Sequence, residues 1–324
     1  MIKKEELRIV YMGTPDFAVE PLRQLVDRGY NIVGVITMPD KPAGRGHKLQ
    51  HSAVKEYALQ VGLPLLQPTN LKDDSFLDAL REWRADLQIV VAFRMLPQVV
   101  WDMPRLGTFN LHASLLPQYR GAAPINWAVI NGESETGVTT FFLQHEIDTG
   151  AIIRQERIPI AETDNVGQVH DALMHLGSRL VVETVDDILT GTVRSIPQAE
   201  LSDGLELRPA PKLFKETCRI DWTRSCKQVY DFVRGLSPYP AAWTELVKST
   251  NERVAVKIFE ATCVQVASQP EAPGTIQTDG KHFLRVATAD GWLEICSLQL
   301  PGKKRLRVDE LLRGFSLGES CRME

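Results

Sequence analysis

The first half of the chain alternates short apolar runs with segments of helical spacing, and this alternation constrains the fold more than any other feature. Residues 7–12, 32–36, 87–92 and 109–112 have the apolar, β-branched composition of buried strands. The segment after the first run has apolar residues at helical spacing, with Asp16 placed to cap it. Strand–helix–strand alternation predicts a Rossmann-like α/β domain with an open, mostly parallel sheet.

Ligands of such sheets bind where the strands end, so chemistry is expected directly after Met12, Ala92 and Leu111. The first strand is followed by Gly13-Thr14-Pro15 and not by a G-x-G-x-x-G sequence. This disfavours a dinucleotide cofactor and leaves Gly13 as a tight strand-to-helix turn.

The second half of the chain predicts a smaller domain of different architecture. A long amphipathic helix is expected from about residue 166 to 189, and the glycines and prolines of residues 191–217 indicate an irregular linker. One helix over about 225–234 and several short strand-like runs with glycine turns then predict a small OB-like β-barrel. The expected divisions are a catalytic domain over residues 1–190, a linker over 191–207 and a C-terminal domain over 208–324.

The net charge of −4 conceals an asymmetry between these regions. Residues 1–207 carry 19 Lys and Arg against 27 Asp and Glu, whereas residues 208–324 carry 18 against 14. A basic C-terminal half on an acidic protein indicates a polyanionic partner for that half, although four charges also arise by chance.

Several classes of protein are disfavoured by the composition. No stretch approaches the roughly 18 apolar residues of a membrane-spanning helix, and the first residues lack the pattern of a signal peptide. Five cysteines without C-x-x-C spacing argue against a zinc knuckle and make a framework of disulfides unexpected. We therefore expect a cytoplasmic protein without a membrane partner.

The strongest chemical pattern is Asn110-x-His112, followed at a distance by Asp148. Residues two apart on a strand share a face, so the carboxamide and the imidazole point the same way. An amide donor, a histidine and an orienting carboxylate suit acyl transfer to an amine, in which an oxyanion develops and the nucleophile loses protons. A buried polar pair without catalytic function is the alternative. The sequence has no serine or cysteine elbow motif, and its scattered carboxylates support no metal cluster.

Four segments together resemble the formyltransferases that use 10-formyltetrahydrofolate. They are residues 12–18 (MGTPDFA), 110–112 (NLH), 114–124 (SLLPQYRGAAP) and 148–150 (DTG). A basic loop over residues 39–49 (PDKPAGRGHKL) makes the resemblance closest to the family members that act on tRNA. The likeness extends over the whole chain, including the basic barrel.

The resemblance implies both a reaction and its residues. A monomer would transfer the formyl group of 10-formyltetrahydrofolate, a co-substrate, to the amino group of methionine on initiator methionyl-tRNA, without a metal. The implied residues are Asn110, His112 and Asp148 for catalysis, Ser114, Leu115, Leu116 and Pro117 for folate, and Lys41, Arg45 and Lys48 for tRNA.

Two segments depart from the family pattern. Residues 92–97 (AFRMLP) replace a loop with Tyr-Gly whose backbone would hold the pterin ring, and Arg94 changes the expected contacts. His145 and Glu146, just before Asp148, are interpreted as part of a solvated turn.

Two other functions are compatible with part of the sequence. Formyl transfer to a small amine, such as a sugar nucleotide or a purine precursor, requires neither the basic loop nor the basic domain. A tRNA-binding module without catalysis requires none of Asn110, His112 and Asp148.

Overall fold

The computed structural model describes residues 3–43, 48–265, 271–315, 317 and 321–324. The chain divides into two compact units. The first contains residues 1–121, 136–158 and 170–209, and the second contains residues 122–135, 159–169 and 210–324. Each unit is therefore assembled from more than one stretch of sequence.

The elements up to residue 202 include three short strands and two short helices besides the main ones. In chain order they are β1 (Ile9–Gly13), α1 (Val19–Asp27), β2 (Ile32–Ile36), β3 (Lys41–Ala43), β4 (Lys48–Gln50), α2 (Ala53–Gln60), β5 (Leu65–Leu66), α3 (Asp74–Glu82), β6 (Leu87–Val91), α4 (Gln98–Trp101), β7 (Thr108–His112), α5 (Pro124–Ile130), β8 (Glu135–Phe142), β9 (Ile152–Pro159), α6 (Val166–Thr190) and α7 (Gln198–Ser202).

The elements after residue 202 are mostly strands. They are α8 (Cys226–Leu236), β10 (Ala242–Val247), β11 (Arg253–Val264), β12 (Ile276–Thr278), β13 (Leu284–Ala287), β14 (Trp292–Gln299), β15 (Leu306–Arg307), α9 (Val308–Leu312) and β16 (Arg322–Met323).

The first unit is built on a seven-stranded sheet with the strand order β5-β2-β1-β6-β7-β8-β9. Strands β5, β2, β1, β6 and β7 are parallel, and β8 pairs antiparallel with β7. Every residue of β1 and β6 is buried, as expected for parallel strands covered on both faces. The predicted open, mostly parallel α/β sheet is confirmed.

The turn after β1 confirms one prediction and corrects another. A Cβ on Gly13 would lie 2.6 Å from the Cβ of Ala18 and 3.1 Å from the carbonyl oxygen of Val91, so the tight turn needs glycine. Asp16 does not cap α1, which begins at Val19. It lies inside a 3₁₀ turn that precedes the helix, and its carboxylate accepts a hydrogen bond from the adjacent Phe17 amide at 2.9 Å.

The second unit contains an antiparallel barrel. Its strands follow the order β12-β13-β14-β11-β10-β16, and β15 pairs with β14. Thr275, beside β12, forms a bridge with Arg322 on β16, and the Met323 amide donates to the Gly274 carbonyl at 2.8 Å. These contacts join the two ends of the sheet, so the barrel is nearly closed and the predicted OB-like barrel is confirmed.

Helix α8 packs its apolar face into the barrel core. Val229, Val233 and Leu236 belong to one buried cluster with Ile258 and Ile295 of the strands. The helix starts at a capping box, in which the Ser225 hydroxyl accepts from the Gln228 amide. Because the apolar positions recur at helical spacing, the sequence located this helix to within two residues.

A disulfide links Cys226 at the start of α8 to Cys263 on β11, 37 residues later. The sequence does not predict this disulfide, because the two positions share no recognisable spacing. Contact between α8 and β11 brings them together. Among the described residues, Cys218, Cys296 and Cys321 are free.

The close approach of β8 and β9 is testable at Gly137. A Cβ at this position would overlap the carbonyl oxygen of Glu156 on β9. Gly137→Ala should therefore lower the free energy of unfolding by about 1–3 kcal/mol, the usual cost of overpacking. The measurement is urea denaturation. The control is Gly314→Ala, where a Cβ meets nothing within 4 Å, and equal stability of both variants would contradict this packing.

Candidate active site

Strand β7 presents Asn110 and His112 on one face because its other face is committed to the core. Phe109 and Leu111 are 0% and 3% exposed. Leu111 packs under α6, where a Cβ on Gly177 would lie 2.7 Å from its side chain. By alternation Asn110 and His112 point to the opposite face, where His112 is buried and Asn110 is half-buried.

The backbone fixes which nitrogen of His112 is available. Nε2 lies 2.9 Å from the carbonyl oxygen of Tyr119, seven residues further along the chain. A carbonyl oxygen only accepts hydrogen bonds, so Nε2 carries a hydrogen. Nδ1 is therefore the nitrogen that can take up or release a proton while this bond is kept.

Asp148 faces that second nitrogen. Its Oδ2 lies 3.9 Å from Nδ1 of His112, beyond hydrogen-bond length and within range of strong electrostatic interaction. The two side chains are 12% and 8% exposed, so water screens them little. The same oxygen accepts from the Gly121 amide at 3.1 Å, which orients the carboxylate. The structure thus brings together the predicted partners His112 and Asp148.

Gln198 holds the turn that carries Asp148, and sequence reasoning missed it. Its Nε2 donates to the carbonyls of Asp148 and Gly150 at 2.8 and 2.9 Å. Its Oε1 accepts two bonds from the Arg120 guanidinium, at 3.0 and 2.6 Å. The side chain is buried, although it begins helix α7 inside the segment predicted as an irregular linker. The bridge between Ile152 and Ile196 explains how that segment reaches the site.

The four residues implied for folate binding are mostly enclosed. Leu115 is half-buried, while Ser114, Leu116 and Pro117 are buried. The Ser114 hydroxyl donates to the Gln118 carbonyl at 2.7 Å, and Leu116 belongs to a core cluster with Phe141. Leu115 is therefore the one whose side chain is partly open to a ligand.

Arg94 lies in the loop after β6 that departs from the family pattern, and its side chain binds the backbone of its own chain. Its guanidinium donates to the carbonyls of Pro68 and Thr69, and burial lowers its pKa from the usual value. Arg94 also lines a cavity of about 1190 Å³ between this loop and the segment after β5. The wall contains residues 94–97 of the loop after β6, but none of Asn110, His112, Asp148 and residues 114–117.

On either side of the undescribed residues 44–47 of the basic loop, β3 and β4 pair antiparallel, with Lys41 opposite Gln50. Asp40 anchors the base of the loop by accepting from the Lys55 ammonium at 2.6 Å and the Gln67 amide at 2.9 Å. These two hydrogen bonds hold the pKa of the Asp40 carboxyl below its usual value. Lys41 is exposed, whereas Arg45 and the side chain of Lys48 lie outside the described residues.

His145 and Glu146 are both exposed, in agreement with their interpretation as a solvated turn. The His145 ring packs edge-on against Trp101, with 5.6 Å between ring centroids. In the part of the chain that the structure describes, no cluster of three or more metal-ligating side chains was found. The same part contains no helix that is long and apolar enough to span a membrane.

Gln198 provides a test of this geometry. Gln198→Leu keeps the volume but removes both donors to the Asp148 turn, so the carboxylate should lose its position opposite His112. We expect kcat for the formyl transfer implied by the sequence to fall about 10- to 100-fold. Steady-state kinetics is the measurement, with Ser202→Ala, a change at the half-buried last residue of the same helix, as control. Wild-type turnover in folded Gln198→Leu would show that the turn keeps its place without this side chain.

Comparison with known families identifies the chain. The Formyl transferase family matches residues 7–185, and the Formyl transferase C-terminal domain family matches residues 212–316. The residues of the site described above lie in the first match, except Gln198.

Relatives that align over nearly their full length specify the type of formyl transferase. The methionyl-tRNA formyltransferase of Bacteroides fragilis is 72% identical over 100% of this chain and 99% of its own, and that of Bacteroides thetaiotaomicron is 70% identical over 99% and 100%. A structure of HypX from Aquifex aeolicus in complex with tetrahydrofolic acid shares the fold, with a TM-score of 0.62 and 20% identity. That match covers 94% of this chain but only 46% of HypX. With both domain families matched and such identity over its entire length, the chain belongs to the methionyl-tRNA formyltransferase family of formyl transferases.

Proposed function

We propose that the protein transfers the formyl group of 10-formyltetrahydrofolate to the amino group of methionine on initiator methionyl-tRNA, and that Asn110, His112 and Asp148 carry out the reaction. One observation carries the catalytic assignment. Nε2 of His112 is engaged by the Tyr119 carbonyl, which leaves Nδ1 facing the Asp148 carboxylate.

The reaction forms one C–N bond and breaks another. The neutral amine of methionine attacks the formyl carbon and gives a tetrahedral intermediate with a negatively charged oxygen. The bond from the carbon to N10 of the folate then breaks, and the proton lost by the amine ends on N10. Catalysis requires donors to the oxyanion and a route for the proton.

The three side chains meet these requirements. The amide N–H of Asn110 and a protonated Nδ1 of His112 are donors for the oxyanion, each worth about 3–4 kcal/mol in the transition state. The negative charge of Asp148 stabilises the imidazolium. The carboxylate also accepts protons from the attacking amine, either directly or through water.

The folate donor is placed beside this group. Leu115 offers a partly exposed apolar side chain to the folate. Ser114, Leu116 and Pro117 are buried and fix the backbone on both sides of Leu115. The backbone of the loop after β6 is proposed to hold the pterin ring. Arg94 is committed to two carbonyl oxygens of its own chain, so its side chain is left out of this contact.

Two basic regions are proposed to bind tRNA. The loop with Lys41, Arg45 and Lys48 follows β2, whose end lies at the same edge of the sheet as the end of β7. The domain over residues 208–324, joined by the linker 191–207 to the catalytic domain 1–190, carries a charge of +4 to attract phosphates. We also propose a monomer that acts in the cytoplasm, where initiator tRNA is used.

Substitution of His112 tests the catalytic assignment and the function together. His112→Ala and Asp148→Asn should each lose most turnover, because they remove transition-state contacts. The assay follows tetrahydrofolate release with methionyl-tRNA or with free amines as acceptor. If the wild-type enzyme formylated free amines but not methionyl-tRNA, the proposed tRNA substrate would be wrong. If folded His112→Ala kept near-wild-type turnover, the proposed mechanism would be wrong.

Arg45 tests the basic loop. Arg45→Ala should raise the KM for methionyl-tRNA far more than the KM for the folate donor, because arginine pairs with phosphate oxygens or stacks on bases. Arg23→Ala, which removes an exposed arginine from α1, serves as the control. An equal change in both KM values would place the loop outside the tRNA-binding surface.

A further inference from the structure

A second cavity, of about 560 Å³, lies in the barrel unit and is separate from the residues assigned to catalysis. Four segments form its wall: residues 213–215 with Cys218, residues 239–241 with Trp243, two positions of β11, and the turn 299–302 after β14. Its volume lies in the range of about 300–1000 Å³ that is typical of sites for small ligands.

Aromatic rings line this cavity, and two of them are exposed. Tyr239 is 81% exposed and Phe214 is 56% exposed, whereas Trp243 is half-buried. The Trp243 indole is held in place by its N–H, which donates to the Lys215 carbonyl at 2.6 Å. Exposed aromatic rings beside a cavity, next to one ring fixed in orientation, are typical of a surface that binds a partner.

Cations lie beside these rings, and one of them, Arg219, also pairs with Glu245 at 2.9 Å. The charged residues in the wall are Lys215 and Lys257. Lys215 and Arg219 lie over the Trp243 ring at 5.5 and 5.3 Å, and Lys212 lies over the Phe214 ring at 5.6 Å. The cations therefore already lie beside π faces, within reach of a negatively charged group on a stacked ligand.

We propose that this cavity, formed by Phe214, Tyr239, Trp243 and the neighbouring lysines, binds one unstacked nucleotide of the RNA substrate. The base stacks on the exposed rings and the adjacent phosphate is bound by lysine. Aromatic faces combined with a basic rim are the usual features of single-stranded nucleotide recognition. The apolar floor of Leu213, Leu300 and Pro301 suits the face of a base. The proposal rests on tRNA as the substrate and adds a subsite to it.

The variants separate stacking from charge. Tyr239→Ala removes a ring but no cation, so the Kd for initiator tRNA should rise about tenfold, while the slope of log Kd against log salt stays unchanged. Lys257→Gln should instead reduce that slope by about one. Tyr239→Phe keeps the stacking face and should bind like wild type. Phe214→Ala, also at an exposed ring, is the independent second variant.

Fluorescence anisotropy with labelled tRNA measures these constants. Wild-type Kd values for both Tyr239→Ala and Phe214→Ala would overturn the proposal and leave a peptide or protein as the occupant. Loss of binding in Tyr239→Phe would equally overturn it, because the hydroxyl and not the ring would then be responsible. Binding is measured without the formyl donor, so these outcomes are distinct from failure of wild-type formyl transfer.

Discussion

The alternation of side chains along β7 is the constraint on which the site depends. Phe109 and Leu111 are buried in the sheet core, so Asn110 and His112 have to face the other way. The strand is fixed by parallel pairing with β6 and antiparallel pairing with β8. A slip of one residue would turn the carboxamide and the imidazole towards the face now occupied by Phe109 and Leu111, and would turn the phenyl ring towards the site. A single register of β7 therefore buries the core side chains and places the reactive groups.

Backbone groups outside β7 orient the side chains of His112 and Asp148. The Tyr119 carbonyl binds one nitrogen of His112, and the Gly121 amide orients the Asp148 carboxylate. Tyr119 and Asp148 have φ angles of +57° and +55°, a region that costs about 1–3 kcal/mol for residues other than glycine. Hydrogen bonds from Gln198 to the Asp148 turn offset part of this cost. Part of the conformational strain of the backbone therefore lies where the reactive groups are oriented.

The barrel unit is held together by different contacts. A hydrogen bond between Gly274 and Met323 joins the ends of its sheet, and α8 packs into its core. Its surface carries exposed rings such as Tyr239 and Phe214, and Lys212 lies over the Phe214 ring. A surface of this composition suits a flexible polyanion whose bases can leave their stack, whereas the first unit provides a buried and rigid geometry for bond formation.

The sequence by itself determined the central strands, the helices α6 and α8, and the shared face of Asn110 and His112, because periods of 2 and 3.6 residues are local properties. It also indicated Asp148, through a motif, and the barrel, through short runs and turns. The position of Gln198 and the link between Cys226 and Cys263 were decided only by tertiary structure. The partners of Gln198 lie 48 to 78 residues away, and Cys263 lies 37 residues from Cys226. Contacts over such separations depend on how whole elements pack, and no local pattern encodes them.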